Sequence, residues 1–131
     1  KNIAFKIKKN RKIELKTKPS RLKPVIIISG RYDYETQIFT EKLKYSKLKK
    51  YSSSIKFCKI AEGQGDLYPR LSSIKKWDIA AGDAILRMSG GMLLNNKNEN
   101  YNYCSSTSNT GQFFAVSSEG IWKKKLSSLI K

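Results

Sequence analysis

The stretch from Ser53 to Gly82 constrains the fold more than any other part of the sequence. Ser53 or Ser54 is placed to cap a helix running to Ala61, whose buried side would carry Phe57, Cys58 and Ala61. Gly63 and Gly65 break that helix, and Asp66–Pro69 then reads as a short strand. Asp78 stands at the start of a second helix, in which Ala80, Ala81, Ala84, Ile85 and Met88 fall on one face. Asp83 and Arg87 form an i,i+4 pair opposite, and Gly90-Gly91 stops the helix.

The flanking segments fit the same alternation. Val25–Ile28 is β-branched and apolar without a polar break, the mark of a strand covered on both faces. Ser29-Gly30 ends it. Residues 1–18 alternate, with Ile3, Phe5 and Ile7, then Ile13 and Leu15, around Asn10-Arg11, which predicts a hairpin. Pro19–Pro24 is a connector, and Glu35–Lys49 reads as a lysine-rich helix carrying Ile38, Phe39 and Leu43. After a polar loop over Asn95–Thr110, Phe113–Val116 reads as a last strand, and Trp122, Leu126, Leu129 and Ile130 recur at helical spacing. Strands alternating with helices predict an α/β architecture, a mostly parallel sheet flanked by helices.

Composition removes several kinds of chemistry. Among 131 residues there is no histidine, so imidazole ligands, Ser-His pairs and histidine bases are excluded. Two cysteines, Cys58 and Cys104, make no disulfide framework and read as free thiols of a reducing, cytoplasmic compartment. No apolar run approaches the roughly 20 residues that span a bilayer, and the basic N-terminus lacks an apolar signal-peptide core. The first residue is Lys1 rather than methionine, as in a processed or trimmed piece of a longer chain. The net charge of +17 comes mostly from lysine scattered along the chain. Such a surface favours small polyanions, and it predicts no specific nucleic-acid partner; a peripheral contact on the inner membrane is the further expectation.

The candidate chemistry concentrates in the opening stretch. Asp78 either caps its helix or offers a charged oxygen to a hard cation such as Mg²⁺. Ser53, Ser54 and Lys56, at a helix start, either form an ordinary capped turn or bind an anion. Arg70 ends the Leu67-Tyr68-Pro69 strand facing the same region, where Tyr68 reads as a packing residue.

These motifs resemble the inositol monophosphatase superfamily, in its 3'(2'),5'-bisphosphate nucleotidase branch. Trp77-Asp78-Ile79-Ala80-Ala81 matches the superfamily motif Trp-Asp-x-Ala-(Ala/Gly) at every defined position. Ser53-Ser54-Ile55-Lys56-Phe57 matches the nucleotidase pattern Gly-Ser-Ser-x-Lys-Phe, with Ser52 in place of the glycine. Asp66-Leu67-Tyr68-Pro69-Arg70 matches Ala-Asp-Leu-Tyr-Pro-Arg, with Gly65 in place of the alanine. Where the family often has Ser-Arg-Ser-His after the first core strand, this chain has Ser29-Gly30-Arg31-Tyr32.

The resemblance implies one C-terminal α/β lobe over residues 1–131. Its parts are hairpin strands and connector (1–23), a family-matching core (24–92) and a divergent loop, last strand and tail (93–131). It implies Asp78 as a ligand of Mg²⁺ and substrate, with Ser53, Ser54, Lys56 and Arg70 binding a phosphorylated nucleotide. The implied reaction is removal of the 3'-phosphate of adenosine 3',5'-bisphosphate. The family's other metal ligands, a glutamate pair and an Asp-Pro-(Leu/Ile)-Asp-Gly-(Ser/Thr) motif, do not occur in these residues. The chain is therefore expected to need an N-terminal lobe, in cis or in trans. An inositol-phosphate phosphatase lobe and a non-catalytic remnant or basic polyanion-binding module are the alternatives.

Overall fold

Alternation at the start of the chain gives β1 (Phe5–Lys8) and β2 (Arg11–Glu14), paired antiparallel in the computed structural model, which describes residues 3–19, 21–43 and 47–130. Lys9 and Asn10 both take positive φ, 48° and 60°, the geometry of a two-residue turn that matches strand twist. One hairpin face packs Ala4 and Leu15 on Ala61, and Lys6 pairs with Glu62; Phe5 and Ile7 on the other face are exposed. Residues 1–2 of the expected hairpin lie outside the described residues.

The body is a five-stranded sheet. Its strands are β3 (Val25–Ile28), β4 (Lys47–Lys50), β5 (Leu67–Arg70), β6 (Met92–Asn95) and β7 (Phe113–Val116), in the order β4-β3-β5-β7-β6. The helices are α1 (Tyr34–Glu41), α2 (Ile55–Ala61), α3 (Ala80–Met88) and α4 (Glu119–Leu129), with a 3₁₀ turn at Lys76–Asp78. β3 runs parallel to β4 and β5, while β7 is antiparallel to both β5 and β6. Four strands thus point one way and β7 alone is reversed, so the sheet is mixed. Helical crossovers deliver β4, β5 and β6 in one direction; β7 arrives by the irregular 96–112 segment, which imposes no such direction.

Both faces of this sheet are covered, as the unbroken apolar Val25–Ile28 run demands. Val25 and Ile27 pack with Phe57, Ile60, Tyr68, Ile79 and Leu86 on the α2–α3 side. Ile26 and Ile28 pack with Phe39, Trp122 and Leu126 on the α1–α4 side. Each face buries the alternate residues of the same strands.

Three expectations are corrected. The helix expected over Glu35–Lys49 ends at Glu41, and Lys47–Lys50 is an edge strand in register with Val25–Ile28. All four β4 residues are exposed: the open edge of β3 supplies the hydrogen bonds that the sequence pattern could not show, and lysines suit such an edge. Residues 44–46 of that expected helix lie outside the described residues. The last strand before the site is Leu67–Arg70, one residue later than Asp66–Pro69.

In α3 the buried side is the reverse of the expected one. Gly82, Asp83 and Leu86 are buried, whereas Ala80, Ala81, Ala84 and Met88 are exposed; of the expected face only Ile85 is half-buried, against Ala4, Leu15 and Ala61. Gly82 faces Phe57 so closely that an added Cβ would stand 2.7 Å from its ring. Asp83 is buried because it accepts from Arg87 Nε at 2.9 Å and from the Tyr103 hydroxyl at 2.6 Å. Burial and that hydrogen bond to Asp83 push the Tyr103 hydroxyl's pKa well above its ordinary value.

Candidate functional site

The site forms where the chain changes sides. After β3 the chain turns to α1 on one face; after β5 it turns to the 3₁₀ segment and α3 on the other. Loops leaving neighbouring parallel strands toward opposite faces open a crevice at the strands' carboxyl ends. Described pairing between β3 and β5 is confined to Ile26↔Leu67, and Pro69 has no N–H to extend it.

Two adjoining cavities occupy this crevice. An inner one of about 260 Å³ is lined by Ser53, Ser54, Lys56, Tyr68, Arg70 and Asp78, among others. An outer one of about 840 Å³ shares Ser53, Lys56 and Arg70 with it, and adds Ser29–Arg31, Asp33–Glu35, Ser52 and Ser72. Every expected site residue therefore lines one inner cavity. Ser52, Arg31, Tyr34 and Ser72 were not anticipated, because loops brought together by the β3–α1 and β5 turns leave no periodic signal.

Lys56 is 5% exposed, and its ammonium lies 5.1 Å from the centre of the Tyr68 ring. Among the described residues it has no carboxylate partner. Burial, and then the nearby Arg70 charge, hold the pKa of Lys56 below its ordinary value. Arg70 donates to Ser72 O at 3.2 Å and Ser29 Oγ at 3.4 Å, and it too lacks a carboxylate partner among the described residues. Tyr68 holds this pair from beneath, packed edge-on against Phe57 and Phe113. Its role is packing, as expected; burial raises its hydroxyl's pKa, against the influence of Arg70 and Ser29.

Neither hydroxyls nor carboxylate are spent on capping. Ser54 sits at the N-cap of α2 but makes no side-chain cap bond. Asp78 closes the 3₁₀ turn, and Ile79 rather than Asp78 is the N-cap of α3. Its carboxylate is exposed and has no hydrogen-bond or ion-pair partner among the described residues. Beside Ser52, which stands where the nucleotidase pattern has glycine, Ser53 takes a positive φ of 52°. A serine there is strained, and such strain clusters at ligand-contacting turns.

These residues do not assemble a metal centre by themselves. Asp78 is the one carboxylate lining the inner cavity, and no group of three His, Cys, Asp or Glu side chains gathers among the described residues. Phosphate-transfer centres with Mg²⁺ need several converging oxygens. What the site offers is a buried lysine, an arginine, two serine hydroxyls and one unengaged carboxylate around one small cavity.

Comparison with known proteins agrees with this geometry. A model of the inositol monophosphatase family matches residues 6–129. The 3'(2'),5'-bisphosphate nucleotidase CysQ of Buchnera aphidicola subsp. Acyrthosiphon pisum (strain APS) is 42% identical over 85 residues, 64% of this chain and 32% of that protein. The enzyme of the same name from Escherichia coli (strain K12) is 38% identical over 68 residues, 51% of this chain and 28% of that protein. The crystal structure of CysQ from Bacteroides thetaiotaomicron superposes with a TM-score of 0.70 at 27% identity, over 81% of this chain and 42% of that one. An IMPase of Thermotoga maritima, 20% identical, shares the fold with a TM-score of 0.71 over 88% of this chain and 44% of its own. The chain thus spans about a third of these curated relatives and less than half of these solved structures. With residues 6–129 matched and the fold shared, the chain belongs to the inositol monophosphatase family.

Proposed function

We propose that this chain is the nucleotide-binding lobe of a Mg²⁺-dependent 3'(2'),5'-bisphosphate nucleotidase, acting on the 3'-phosphate of adenosine 3',5'-bisphosphate. One observation carries the reading: Lys56 and Arg70, two cations without carboxylate partners among the described residues, flank the same small cavity as Asp78 and two free serine hydroxyls. A buried lysine without a counter-ion is a costly arrangement, and an anionic ligand relieves it. Similarity to the nucleotidases named CysQ supports the nucleotide over other phosphate esters. Asp78 would give one oxygen to the metal, and the remaining ligands would come from a second lobe.

The expected order of affinity is adenosine 3',5'-bisphosphate over AMP, and AMP over inositol monophosphate. The second phosphate of the bisphosphate adds charge-assisted hydrogen bonds to Lys56 and Arg70, worth about 1.5–3 kcal/mol apiece. AMP and inositol monophosphate carry one phosphate each and differ by the nucleoside. Calorimetric titration of Lys56→Ala and Arg70→Ala should show at least about tenfold weaker nucleotide binding in each. Unaltered affinity in both, at low and moderate salt, would make the binding diffuse electrostatics of a basic module.

A further inference from the structure

We infer that Lys76 is a positioning residue: clasped by the irregular loop before β7, its ammonium fixes the 3₁₀ turn that presents Asp78 to the cleft. The inference rests on the reading of Asp78 as a site residue and adds what holds that residue in place.

Asp78 has little local support. Its turn, Lys76–Asp78, is three residues long and closes through two short-range bonds, from Asp78 N–H to Lys75 O at 3.0 Å and from Ile79 N–H to Lys76 O at 3.2 Å. Bonds of this i→i+3 kind have poor geometry and sustain only short pieces of helix. No residue of the turn is buried, and Lys75 before it makes no side-chain cap bond. The segment is nonetheless a wall of the site, since Ile74, Asp78 and Ile79 all line the inner cavity. Its support has to come from outside the turn.

The loop over residues 103–111 supplies it. Lys76 Nζ donates to Ser105 Oγ at 2.6 Å, to Ser105 O at 3.0 Å and to Tyr103 O at 3.3 Å, which engages all three of its donors. Lys76 is absent from the lining of the inner cavity, so this cation is turned to the loop rather than to a ligand. Further bonds run alongside it: Lys76 N–H to Ser108 O at 2.9 Å, Thr110 N–H to Ile74 O at 2.7 Å, and Gly111 N–H to Ser73 Oγ at 3.0 Å.

The loop is itself fastened to the core. Tyr103 donates its hydroxyl to the buried Asp83 at 2.6 Å, and its ring meets that of Tyr101 edge-on with centres 4.9 Å apart. Tyr101 is buried; its hydroxyl donates to Thr110 O at 3.1 Å and its carbonyl accepts from Arg87 Nη2 at 3.0 Å. Asp83 and Arg87 belong to α3, which follows Asp78 directly. The turn is therefore tied to α3 twice, once along the chain and once through the two tyrosines, Ser105 and Lys76.

The test follows amide hydrogen exchange by NMR in the chain and in Lys76→Met, Lys76→Arg and Ser105→Ala. Lys76→Met should speed exchange at Asp78 and Ile79 by at least about tenfold and leave the amides of β3 and β5 within a few fold, because the turn is released and the core is not. Lys76→Arg, which keeps a cationic donor, should restore slow exchange. Ser105→Ala should speed the same two amides, and adding it to Lys76→Met should have little further effect. When a family N-terminal lobe and Mg²⁺ are supplied in trans, Lys76→Met should lower kcat about tenfold, with KM for adenosine 3',5'-bisphosphate within a few fold. Unchanged exchange at Asp78 and Ile79 in Lys76→Met would overturn the brace. A raised KM with kcat intact would make Lys76 a substrate contact and overturn it as well. Nucleotide affinity unaltered in Lys56→Ala and Arg70→Ala would instead overturn the phosphate reading, while the exchange rates would still decide the role of Lys76.

Discussion

Ser53 shows how a single residue can serve the cleft at the cost of the fold. Its φ of 52° places a Cβ-bearing residue in the left-handed region, which costs about 1–2 kcal/mol relative to glycine before unfolded-state entropy is counted. Ser53→Gly is therefore expected to raise stability by about 0.5–1 kcal/mol in denaturant melts, and to weaken nucleotide binding through the lost hydroxyl. A stability loss would refute the strain. Lys56 gives the pH signature. Its folded pKa lies below the unfolded 10.5, so between the two values the unfolded chain binds more protons. Stability should rise as pH climbs through that window and level off above it. Ligand affinity should do the opposite, because a bound phosphate favours the ammonium that high pH removes. Lys56→Arg, charged throughout, should flatten the affinity profile across that window. An equally steep fall in Lys56→Arg would assign the titration elsewhere.

Among the elements, the packing of β3 against the β5 approach shows a compensated substitution. Where the nucleotidase pattern has alanine, this chain has Gly65, and a Cβ there would stand 2.7 Å from Ile27 Cγ1 and 2.8 Å from its Cδ1. Ile27 is fully buried, so it cannot swing into solvent. Gly65→Ala should cost about 1–3 kcal/mol by overpacking. Adding Ile27→Val removes Cδ1 but keeps Cγ1, so it should recover only part of that loss, and the double-mutant cycle should show a coupling of about 0.5 kcal/mol or more. Additive effects would mean that the two sites do not touch. The same contact explains what the sequence could and could not disclose. Val25–Ile28 was legible because a strand buried on both faces must be apolar throughout, and Trp122 and Leu126 were legible because a helix buries one stripe. The α3 face was not, because Gly82 carries no hydrophobic signal although its bareness admits Phe57, and because Asp83 is buried only by virtue of Arg87 and Tyr103. β4 was hidden for a similar reason: Leu48 is its one apolar residue, and its strand character comes from the edge of β3. At the site, the motif residues Ser53, Ser54, Lys56, Arg70 and Asp78 announced themselves by spacing and resemblance, whereas Arg31 and Tyr34 reach the cleft only through the turn after β3.

On the scale of the whole molecule, charge and chemistry point in different directions. Lys and Arg number 27 against 10 acidic residues, which draws polyanions toward any part of the surface, but that attraction is screened beyond about 8–10 Å at physiological salt. Salt should therefore strip weak, general binding while sparing nucleotide held at the buried Lys56. Binding is nonetheless only half of phosphate release. Hydrolysis needs a water activated and aimed at phosphorus, and the inner cavity brings a single carboxylate to that task. Roughly 7–11 kcal/mol of rate advantage comes from holding reactants in line, which one exposed aspartate cannot supply. The 131 residues alone are expected to bind adenosine 3',5'-bisphosphate without releasing phosphate from it. Phosphate release should appear on adding, in trans, a family N-terminal lobe that carries the glutamate pair and the Asp-Pro-x-Asp-Gly motif, together with Mg²⁺. Exposed Phe5, Ile7 and Trp77 would also make the lone chain prone to self-associate, so the assay belongs at low concentration with the oligomeric state monitored by light scattering. In the reconstituted mixture Asp78→Asn should abolish release while leaving nucleotide binding within a few fold. Turnover by the 131 residues alone, with Asp78→Asn still active, would place the chemistry outside this cleft.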